Sequence, residues 1–331
     1  MKRLLRVVML FLTTATLLII GPASALAASA PSGANGYRIS PVRTDLTVAP
    51  GDSEVVTLNI QNASSAVENI QTIVNDFEAP TNESGDPALL LNGATAPSHS
   101  LKQFVVIENP TFTIQPNQQQ TVNIIIKIPV GTASGGYYGA IRFAPVGGAA
   151  GGKNVDLSAS VASLVLVTVP GNLNEQLSIA GFGVTQGSST STSSIFFSNK
   201  NLNAQVRFKN SGNIQEQPVG NVILKRGSTI LGTFAVNNTS SPGNVLPDSI
   251  RRFTVSLSKV GWYGKYKADA SFSYGSKGQL LSTQTTFYVI PVLFVVLAIL
   301  LVLFILFIIF GLPRLLRAYN RRVIARANRL R

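Results

Sequence analysis

The chain has 331 residues, enough for about two domains of ordinary size. It has no cysteine and a single histidine, His99, which excludes disulfide frameworks, cysteine-based zinc sites, thiol nucleophiles and histidine metal clusters. The formal net charge is +13, but the excess lies at the two ends, and the region between them has 17 Lys+Arg and 14 Asp+Glu. The charge therefore does not indicate a nucleic-acid-binding protein.

Residues 1–27 are typical of a secretory signal peptide. They begin with three basic residues, continue with an apolar run over 7–20 and end in the small-residue motif Ala25-Leu26-Ala27. This pattern predicts cleavage after Ala27. An uncleaved anchor helix is the alternative, and in both cases the segment that follows is exported.

Residues 33–171 are predicted to form a first β-sandwich. Apolar and polar side chains alternate with period two in VVTLNI (55–60) and TVNIIIKI (121–128), as expected of half-buried antiparallel strands. Stretches rich in Pro, Gly, Asn and Asp separate such segments, and no part of the exported region has a convincing helical period. Many short strands divided in this way favour an immunoglobulin-like sandwich.

A second sandwich is predicted over residues 174–286, after a boundary near Pro170-Gly171-Asn172. Both units contain a strand that ends in Asn before small or polar residues, LNIQNASS (58–65) and VRFKNSGN (206–213). Tyr266 begins the last alternating strand, and we expect its hydroxyl to satisfy a backbone carbonyl at the corner of the sandwich. The predicted ectodomain is thus all-β, with two tandem immunoglobulin-like β-sandwiches followed by a single transmembrane α-helix.

The two predicted sandwiches differ in charge. Residues 28–171 have six Lys+Arg and ten Asp+Glu, whereas residues 172–286 have eleven and four. A basic domain beside a membrane suits anionic lipid headgroups or anionic wall polymers such as teichoic acids. A solvated basic surface without a partner is the alternative.

Residues 287–312 carry no charge and are long enough to cross a bilayer of roughly 30 Å at about 1.5 Å per residue. The tail at 313–331 has seven arginines and no acid, which places it in the cytoplasm. We therefore expect a type I single-pass protein of the cell membrane with an extracellular ectodomain. The arginines predicted to contact anionic lipid in the cytoplasmic membrane are Arg314, Arg317, Arg321, Arg322 and Arg326.

Three further segments carry a family resemblance. They are YRISPVRTDLTVAPGDSEVVTLNIQN (37–62), VNDFEAPTNESGD (74–86) and IKIPVGTASGGYYGAIRF (126–143). Here the chain resembles the peptidoglycan-binding domain of WxL-interacting proteins, surface proteins of Gram-positive bacteria. The resemblance implies a signal peptide, two immunoglobulin-like domains of which the second binds a host or partner protein, one transmembrane helix and a basic tail. The family's Asn-rich stretch in the second domain is not evident, and VLPDSIRRF (245–253) stands in its place.

Side chains suited to catalysis or metal binding are sparse. His99 lies in APSHSLKQF without a nearby G-x-S-x-G motif, so we interpret it as a surface loop residue. Four acids cluster in sequence: Asp76, Glu78, Glu83 and Asp86. A glycosidase carboxylate pair or a Ca²⁺ site would need such acids, but solvated turn acids are the simpler interpretation. We predict no enzyme activity, no cofactor and no metal.

The first candidate ligand contacts lie in GGYYGAIRF (135–143). Alternation places Tyr138 and Arg142 on the outward face of the strand and Tyr137 in the core. Tyrosine rings stack on sugars, and arginine pairs with the carboxylates of peptide stems. Tyr138 and Arg142 are therefore predicted to be exposed together and to contact a ligand.

A second candidate pair, Trp262 and Tyr263, lies in a loop bounded by Gly261 and Gly264. These rings are predicted either to contact a ligand or to plug the end of the second sandwich with apolar surface.

Together these features predict a non-enzymatic, membrane-anchored surface adhesin or scaffold. Its first sandwich would contact cell-wall peptidoglycan or another surface protein, and its basic second sandwich a wall polymer or a protein partner. The alternative is an extracytoplasmic assembly factor or chaperone that holds a secreted protein by edge-strand pairing.

Overall fold

The structure, a computed structural model, describes residues 36–90, 96–146 and 160–317. The predicted signal peptide and the arginines beyond residue 317 lie outside these ranges. Within them, β-strands occupy the chain as far as residue 289 and one long apolar helix follows, which confirms the predicted fold class. The strands form two β-sandwiches, from residues 37–169 and 177–289. The domain boundary near residue 171 stays a prediction.

The N-terminal sandwich contains β1 (Tyr37–Ser40), β2 (Arg43–Thr47), β3 (Ser53–Asn62), β4 (Glu68–Glu78), β5 (Ala88–Leu90), β6 (Val105–Val106), β7 (Thr111–Ile114), β8 (Gln119–Lys127), β9 (Gly135–Pro145) and β10 (Val161–Val169). A single turn of 3₁₀ helix precedes β6 at Lys102–Phe104. One sheet has the order β1-β3-β8-β6, and the other has the order β2-β10-β9-β4-β5, with β7 also paired to β4.

Alternation along these strands sends every second side chain into the space between the two sheets, as predicted. Leu58 and Ile60 of β3 and Ile124 and Ile126 of β8 are fully buried there. Each such burial contributes about 1.5–3 kcal/mol. The same alternation leaves the intervening polar residues of β3 and β8 on the outer side of the sheet.

The C-terminal sandwich contains β11 (Leu177–Gln186), β12 (Ile195–Phe196), β13 (Leu202–Asn210), β14 (Val219–Arg226), β15 (Thr229–Val236), β16 (Ile250–Ser256), β17 (Gly264–Tyr274) and β18 (Gln279–Val289). A three-stranded sheet, β11-β13-β16, packs on a five-stranded sheet, β12-β18-β17-β14-β15. Phe208 and Phe272, one from each sheet, meet edge to face at 4.8 Å between ring centroids. Tyr266 is buried and its hydroxyl donates to the Tyr263 carbonyl at 2.9 Å, which confirms its predicted role.

The two sandwiches share a buried asparagine at the end of the strand where the sequence motif repeats. Asn62 and Asn210 are both fully buried. Asn210 Nδ2 donates to the carbonyls of Ile214 and Val245 at 2.7 and 2.9 Å, and its Oδ1 accepts from the Gly212 backbone N–H at 2.8 Å. Asn62 makes the equivalent bonds at its own turn. A buried amide thus holds each strand-to-loop turn to a neighbouring segment.

The apolar helix runs from Val292 to Arg317. It comprises α1 (Val292–Leu306), a π-helical turn at Phe307–Gly311 and a final helical stretch. The predicted span began at residue 287, but Phe287 and Val289 are buried in the sandwich core as the end of β18. The apolar run therefore joins a core strand to the helix without a polar break, and the helix begins five residues later than predicted.

Replacing Asn210 with alanine should lower the free energy of unfolding by about 2–4 kcal/mol, because the side chain's hydrogen bonds to three backbone groups of the turn are lost. Urea denaturation of the full chain in detergent, followed by circular dichroism, measures the change. Asn221→Ala, on an exposed position of β14, is the matched control and should shift stability by less than about 0.5 kcal/mol. Equal effects of the two variants would contradict the role assigned to the buried amide.

Candidate functional site

Tyr138 points outward from β9, as predicted, but it is only 3% exposed. Its face of the sheet, with Phe77 and Leu166, packs against Leu246 of the C-terminal sandwich. The Tyr138 hydroxyl donates to Gln215 Oε1 at 2.9 Å, and burial raises the pKa of this hydroxyl. The predicted exposure of Tyr138 is therefore wrong, because the second sandwich covers this face.

Because Gly136 has no side chain, the Tyr138 hydroxyl can reach Gln215 of the C-terminal sandwich. A Cβ at this position would overlap the Tyr138 hydroxyl and crowd Gln215 Oε1. The Gly136 backbone N–H instead donates to the Asn213 carbonyl at 2.8 Å. Close backbone approach at a glycine therefore fixes β9 against the loop that follows the buried Asn210.

His99 lies beside the same strand. The segment around His99 and Leu101 bonds to Tyr138 through backbone bonds of 2.8 and 3.1 Å. His99 Nδ1 donates to the Gly136 carbonyl at 2.7 Å, and its ring is half-buried, 5.9 Å from the Tyr138 ring. The predicted surface-loop histidine is thus a loop residue packed on the sheet.

The four predicted turn acids have separate environments. Asp76 is buried in β4 and accepts hydrogen bonds from Ser100 Oγ at 2.8 Å and from the Lys102 backbone N–H at 3.3 Å, so its predicted solvation is wrong. Glu83 forms an ion pair with Arg207 of the C-terminal sandwich, in which Arg207 Nε donates to Oε2 at 2.7 Å and Nη2 to Oε1. This hydrogen-bonded guanidinium lowers the pKa of Glu83. Across the described residues, no three His, Asp or Glu side chains are placed to hold a metal.

Two guanidinium groups line an apolar cavity of about 180 Å³ between the sandwiches, together with Phe77, Leu166 and Leu246. Arg43 Nη1 donates to the Pro242 carbonyl at 2.9 Å. Arg251 Nη1 donates to the Asn244 carbonyl at 2.7 Å, and burial lowers the pKa of Arg251. The cavity therefore belongs to the junction between the sandwiches.

A ligand could reach three of the predicted contact residues: Arg142, Trp262 and Tyr263. Arg142 is half-buried on β9, and its Nε donates to Asn75 Oδ1 at 3.1 Å. Trp262 and Tyr263 are 57% and 43% exposed on the C-terminal sandwich. Arg142 lies on the N-terminal sandwich and the two aromatic residues lie on the C-terminal sandwich, so the three do not form one site. Their predicted ligand contacts stay a prediction.

Arg314 and Arg317 are exposed at the end of the apolar helix, where Arg314 Nη1 donates to the Phe310 carbonyl at 2.7 Å. Arg321, Arg322 and Arg326 lie outside the described residues. The predicted lipid contact of all five arginines stays a prediction.

A candidate site that the sequence analysis missed lies on the outer side of β3 and β8. Six uncharged polar side chains lie on this side, four of them exposed and two, Asn59 and Gln61, half-buried. We call them the amide face: Thr57, Asn59, Gln61, Gln119, Thr121 and Asn123. Cross-strand register pairs them across the two strands. The period-two alternation in VVTLNI and TVNIIIKI is the sequence signal for this face, because it directs the threonine and asparagine side chains outward.

The hydrogen bonds of the amide face leave donors free toward solvent. Thr57 Oγ1 donates to Asn123 Oδ1 at 3.1 Å, and Thr121 Oγ1 donates to Asn59 Oδ1 at 2.8 Å. Both amide oxygens are thus engaged, while in the described part of the chain neither amide nitrogen has a protein acceptor. The face presents NH₂ donors and hydroxyl acceptors in a flat row.

Residues 44–145, which contain the amide face, match the family model described as WxL Interacting Protein, peptidoglycan binding domain. This match confirms the predicted resemblance. The matched family is a family of peptidoglycan-binding domains, and the matched residues lie in the N-terminal sandwich.

Among solved structures, the chain is similar to the class 5 fimbriae chaperone CfaA, with 13% identity, coverage of 77% of this chain and 100% of that chain, and a TM-score of 0.36. It is also similar to the E. coli chaperone DraB, with 14% identity, 76% and 96% coverage and a TM-score of 0.33. The Pseudomonas aeruginosa CupB2 chaperone gives 11% identity, 74% and 97% coverage and a TM-score of 0.34. At these identities the similarity concerns the fold alone. No curated protein sequence matches the chain.

A buried acid at the junction makes stability depend on pH. Burial, with Glu175 nearby, raises the pKa of Glu216 from 4.5 to about 7. The folded state therefore keeps a proton that the unfolded state releases, so this group destabilises the fold as pH rises from 4.5 through 7. Glu216→Gln should remove that loss and raise the free energy of unfolding at about pH 8 by about 1–3 kcal/mol.

Urea denaturation of the full chain in detergent at about pH 5 and about pH 8 measures this difference. Glu54→Gln, an exposed acid on β3, is the control and should keep the wild-type pH dependence. A Glu216→Gln variant whose stability falls with pH as steeply as wild type would refute the assignment.

Proposed function

We propose that the chain is a non-enzymatic, membrane-anchored adhesin or scaffold whose N-terminal sandwich binds peptidoglycan through the amide face. The observation that carries the proposal is the family match over residues 44–145. The part of the β9 sheet around Tyr138 is covered at the junction between the sandwiches, whereas the amide face lies on the open outer side of the other sheet.

The chemistry of the amide face suits this polymer. Peptidoglycan strands consist of N-acetylated sugars with attached peptides, so they present hydroxyls, amide carbonyls and amide N–H groups. The Asn59 and Asn123 NH₂ groups can donate to acetamido or peptide carbonyls, and the threonine hydroxyls can accept from sugar hydroxyls. The six side chains are uncharged, so binding through them should persist at high salt, unlike attraction between charged surfaces.

Arg142, on the opposite outer face of the N-terminal sandwich, is proposed as a second and separate contact, made to the peptide stems. It is half-buried on β9 with one hydrogen bond to Asn75, and a guanidinium can pair with a stem carboxylate through its remaining donors. The basic C-terminal sandwich is proposed to contact anionic wall polymer or a protein partner, an interaction that salt should weaken.

The apolar helix is proposed to anchor the chain in the cytoplasmic membrane. Its 26 residues are long enough to cross a hydrocarbon core of roughly 30 Å at about 1.5 Å per residue. We place the arginine-rich end in the cytoplasm and against anionic lipid, and both sandwiches outside the cell.

Removing the amide donors should weaken wall binding. The double variant Asn59→Ala and Asn123→Ala loses two hydrogen-bond donors, so its affinity for purified peptidoglycan sacculi should fall by about ten-fold or more. Cosedimentation of the full chain in lipid nanodiscs with sacculi, across a salt series, measures the affinity. Wild-type binding should survive high salt.

Asn69→Ala is the matched control, because Asn69 and Thr113 form the same type of cross-strand Thr–Asn hydrogen bond, 2.7 Å long, on the other sheet. This variant should bind sacculi like wild type. Wild-type binding that vanishes with salt, or depends on teichoic acid, would reduce the interaction to charge attraction. Absence of sacculus binding, with capture of one secreted client, would favour edge-strand pairing instead.

A further inference from the structure

The end of the C-terminal sandwich nearest the apolar helix carries a group of exposed apolar side chains. β12 pairs in parallel with the end of β18, and the Ile290 backbone N–H donates to the Phe196 carbonyl at 2.8 Å. Gly264, at the start of β17, lies opposite Val289. The end of β12 and the loop before β17 are therefore level with the point where β18 leads into α1.

Several aromatic and branched apolar side chains at this end of the C-terminal sandwich are strongly exposed to solvent. Phe197 and Trp262 are 56% and 57% exposed. The other exposed apolar residues here are Ile195, Tyr263, Tyr288 and Ile290. A cluster of aromatic and branched side chains on the surface marks an interaction site.

Ring contacts join the cluster to the apolar helix. The Trp262 ring lies 5.5 Å from that of Phe294, in the first turn of α1, and Tyr263 lies 6.2 Å from the same ring. Trp262 and Tyr263 are themselves 4.7 Å apart, edge to face. The exposed aromatic surface is thus continuous with the surface that enters the bilayer.

Two cations border these rings. Arg226 Cζ lies 4.9 Å from the Tyr263 ring centroid, and Lys265 Nζ lies 5.9 Å from that of Tyr288. Across the ranges that the structure describes, neither cation forms an ion pair with a carboxylate, whereas neighbouring Lys225 and Lys267 both pair with Asp269. Two unpaired positive charges therefore accompany the aromatic surface.

The length of the helix sets the depth of this surface. From residue 292 to residue 312 the rise is roughly 30 Å at about 1.5 Å per residue, which matches a hydrocarbon core of roughly 30 Å. With Arg314 at one boundary of the core, Phe294 and the rings beside it lie at the other. Tryptophan and tyrosine favour this headgroup level, and Arg and Lys there attract anionic lipid.

We propose that Phe197, Trp262, Tyr263 and Tyr288, with Arg226 and Lys265, form an aromatic collar that inserts into the headgroup layer of an anionic bilayer. The collar seats the C-terminal sandwich on the outer leaflet and limits its tilt about the short Ile290-Pro291 connection to α1. The partner of Trp262 and Tyr263 is then lipid, and not a wall polymer. This inference rests on the proposed membrane anchoring and not on peptidoglycan binding.

Trp262 is the single tryptophan of the chain, so intrinsic fluorescence reports on the collar alone. The full chain is reconstituted into vesicles of zwitterionic lipid with or without phosphatidylglycerol. Lipids brominated close to the headgroup should quench Trp262 emission by about two-fold, and more than lipids brominated at the chain end. Protection from aqueous acrylamide should increase with the phosphatidylglycerol content.

The double variant Arg226→Gln and Lys265→Gln should lose the dependence on phosphatidylglycerol. The matched control is Lys209→Gln with Lys277→Gln, which removes two exposed charges from the opposite end of the same sandwich. It should retain the wild-type dependence.

Emission that stays accessible to acrylamide and unquenched by shallow bromines would overturn the proposal, as would protection that is independent of phosphatidylglycerol. Vesicle flotation after an alkaline wash tests the anchoring separately. A chain that floats with an unquenched Trp262 refutes the collar alone, whereas a chain that does not float refutes the anchor. Sacculus binding is scored independently of both.

Discussion

The β9 sheet packs against another layer on each of its two faces, and this packing organises the molecule. One face packs on the β3–β8 sheet, and the other, which carries Tyr138, packs against Leu246 and the His99 segment. On this outer face the residues around Tyr138 join the two sandwiches, while Arg142 on the same face stays half-buried. The outer side of the neighbouring sheet remains open, and the amide face lies there.

The two sandwiches share one buried hydrogen-bonding motif but differ in their surfaces. A buried asparagine, Asn62 or Asn210, holds the same turn in each. The first sandwich presents a neutral hydrogen-bonding face, whereas the second has an excess of Lys and Arg and an aromatic end beside α1. Hydrogen bonding between uncharged groups depends little on salt, and charge with aromatic rings suits a lipid surface. In our proposal, the wall and the membrane are thus bound by opposite ends of the chain.

Much of the fold could be predicted because its signals are local. Alternation located the core side chains of β3 and β8, and the repeated Asn motif led to two similar turns. The corner role of Tyr266 followed from its place in the last alternating strand. The start of the helix could not be placed, because Phe287 and Val289 are as apolar as the span although they belong to the core.

The candidate site was predicted only in part. Strand period, apolar length and short motifs are properties of neighbouring residues, so they could be used to predict which side chains face outward, where the chain could cross a membrane and which family it resembles. Tertiary structure alone decided which outward faces are covered. Tyr138 and Gln215 are 77 residues apart in the sequence, so no local pattern predicts that the C-terminal sandwich covers Tyr138. The contact between Trp262 and Phe294 is likewise tertiary: pairing of β17 with β18 brings the loop before β17, which carries Trp262, to the start of α1.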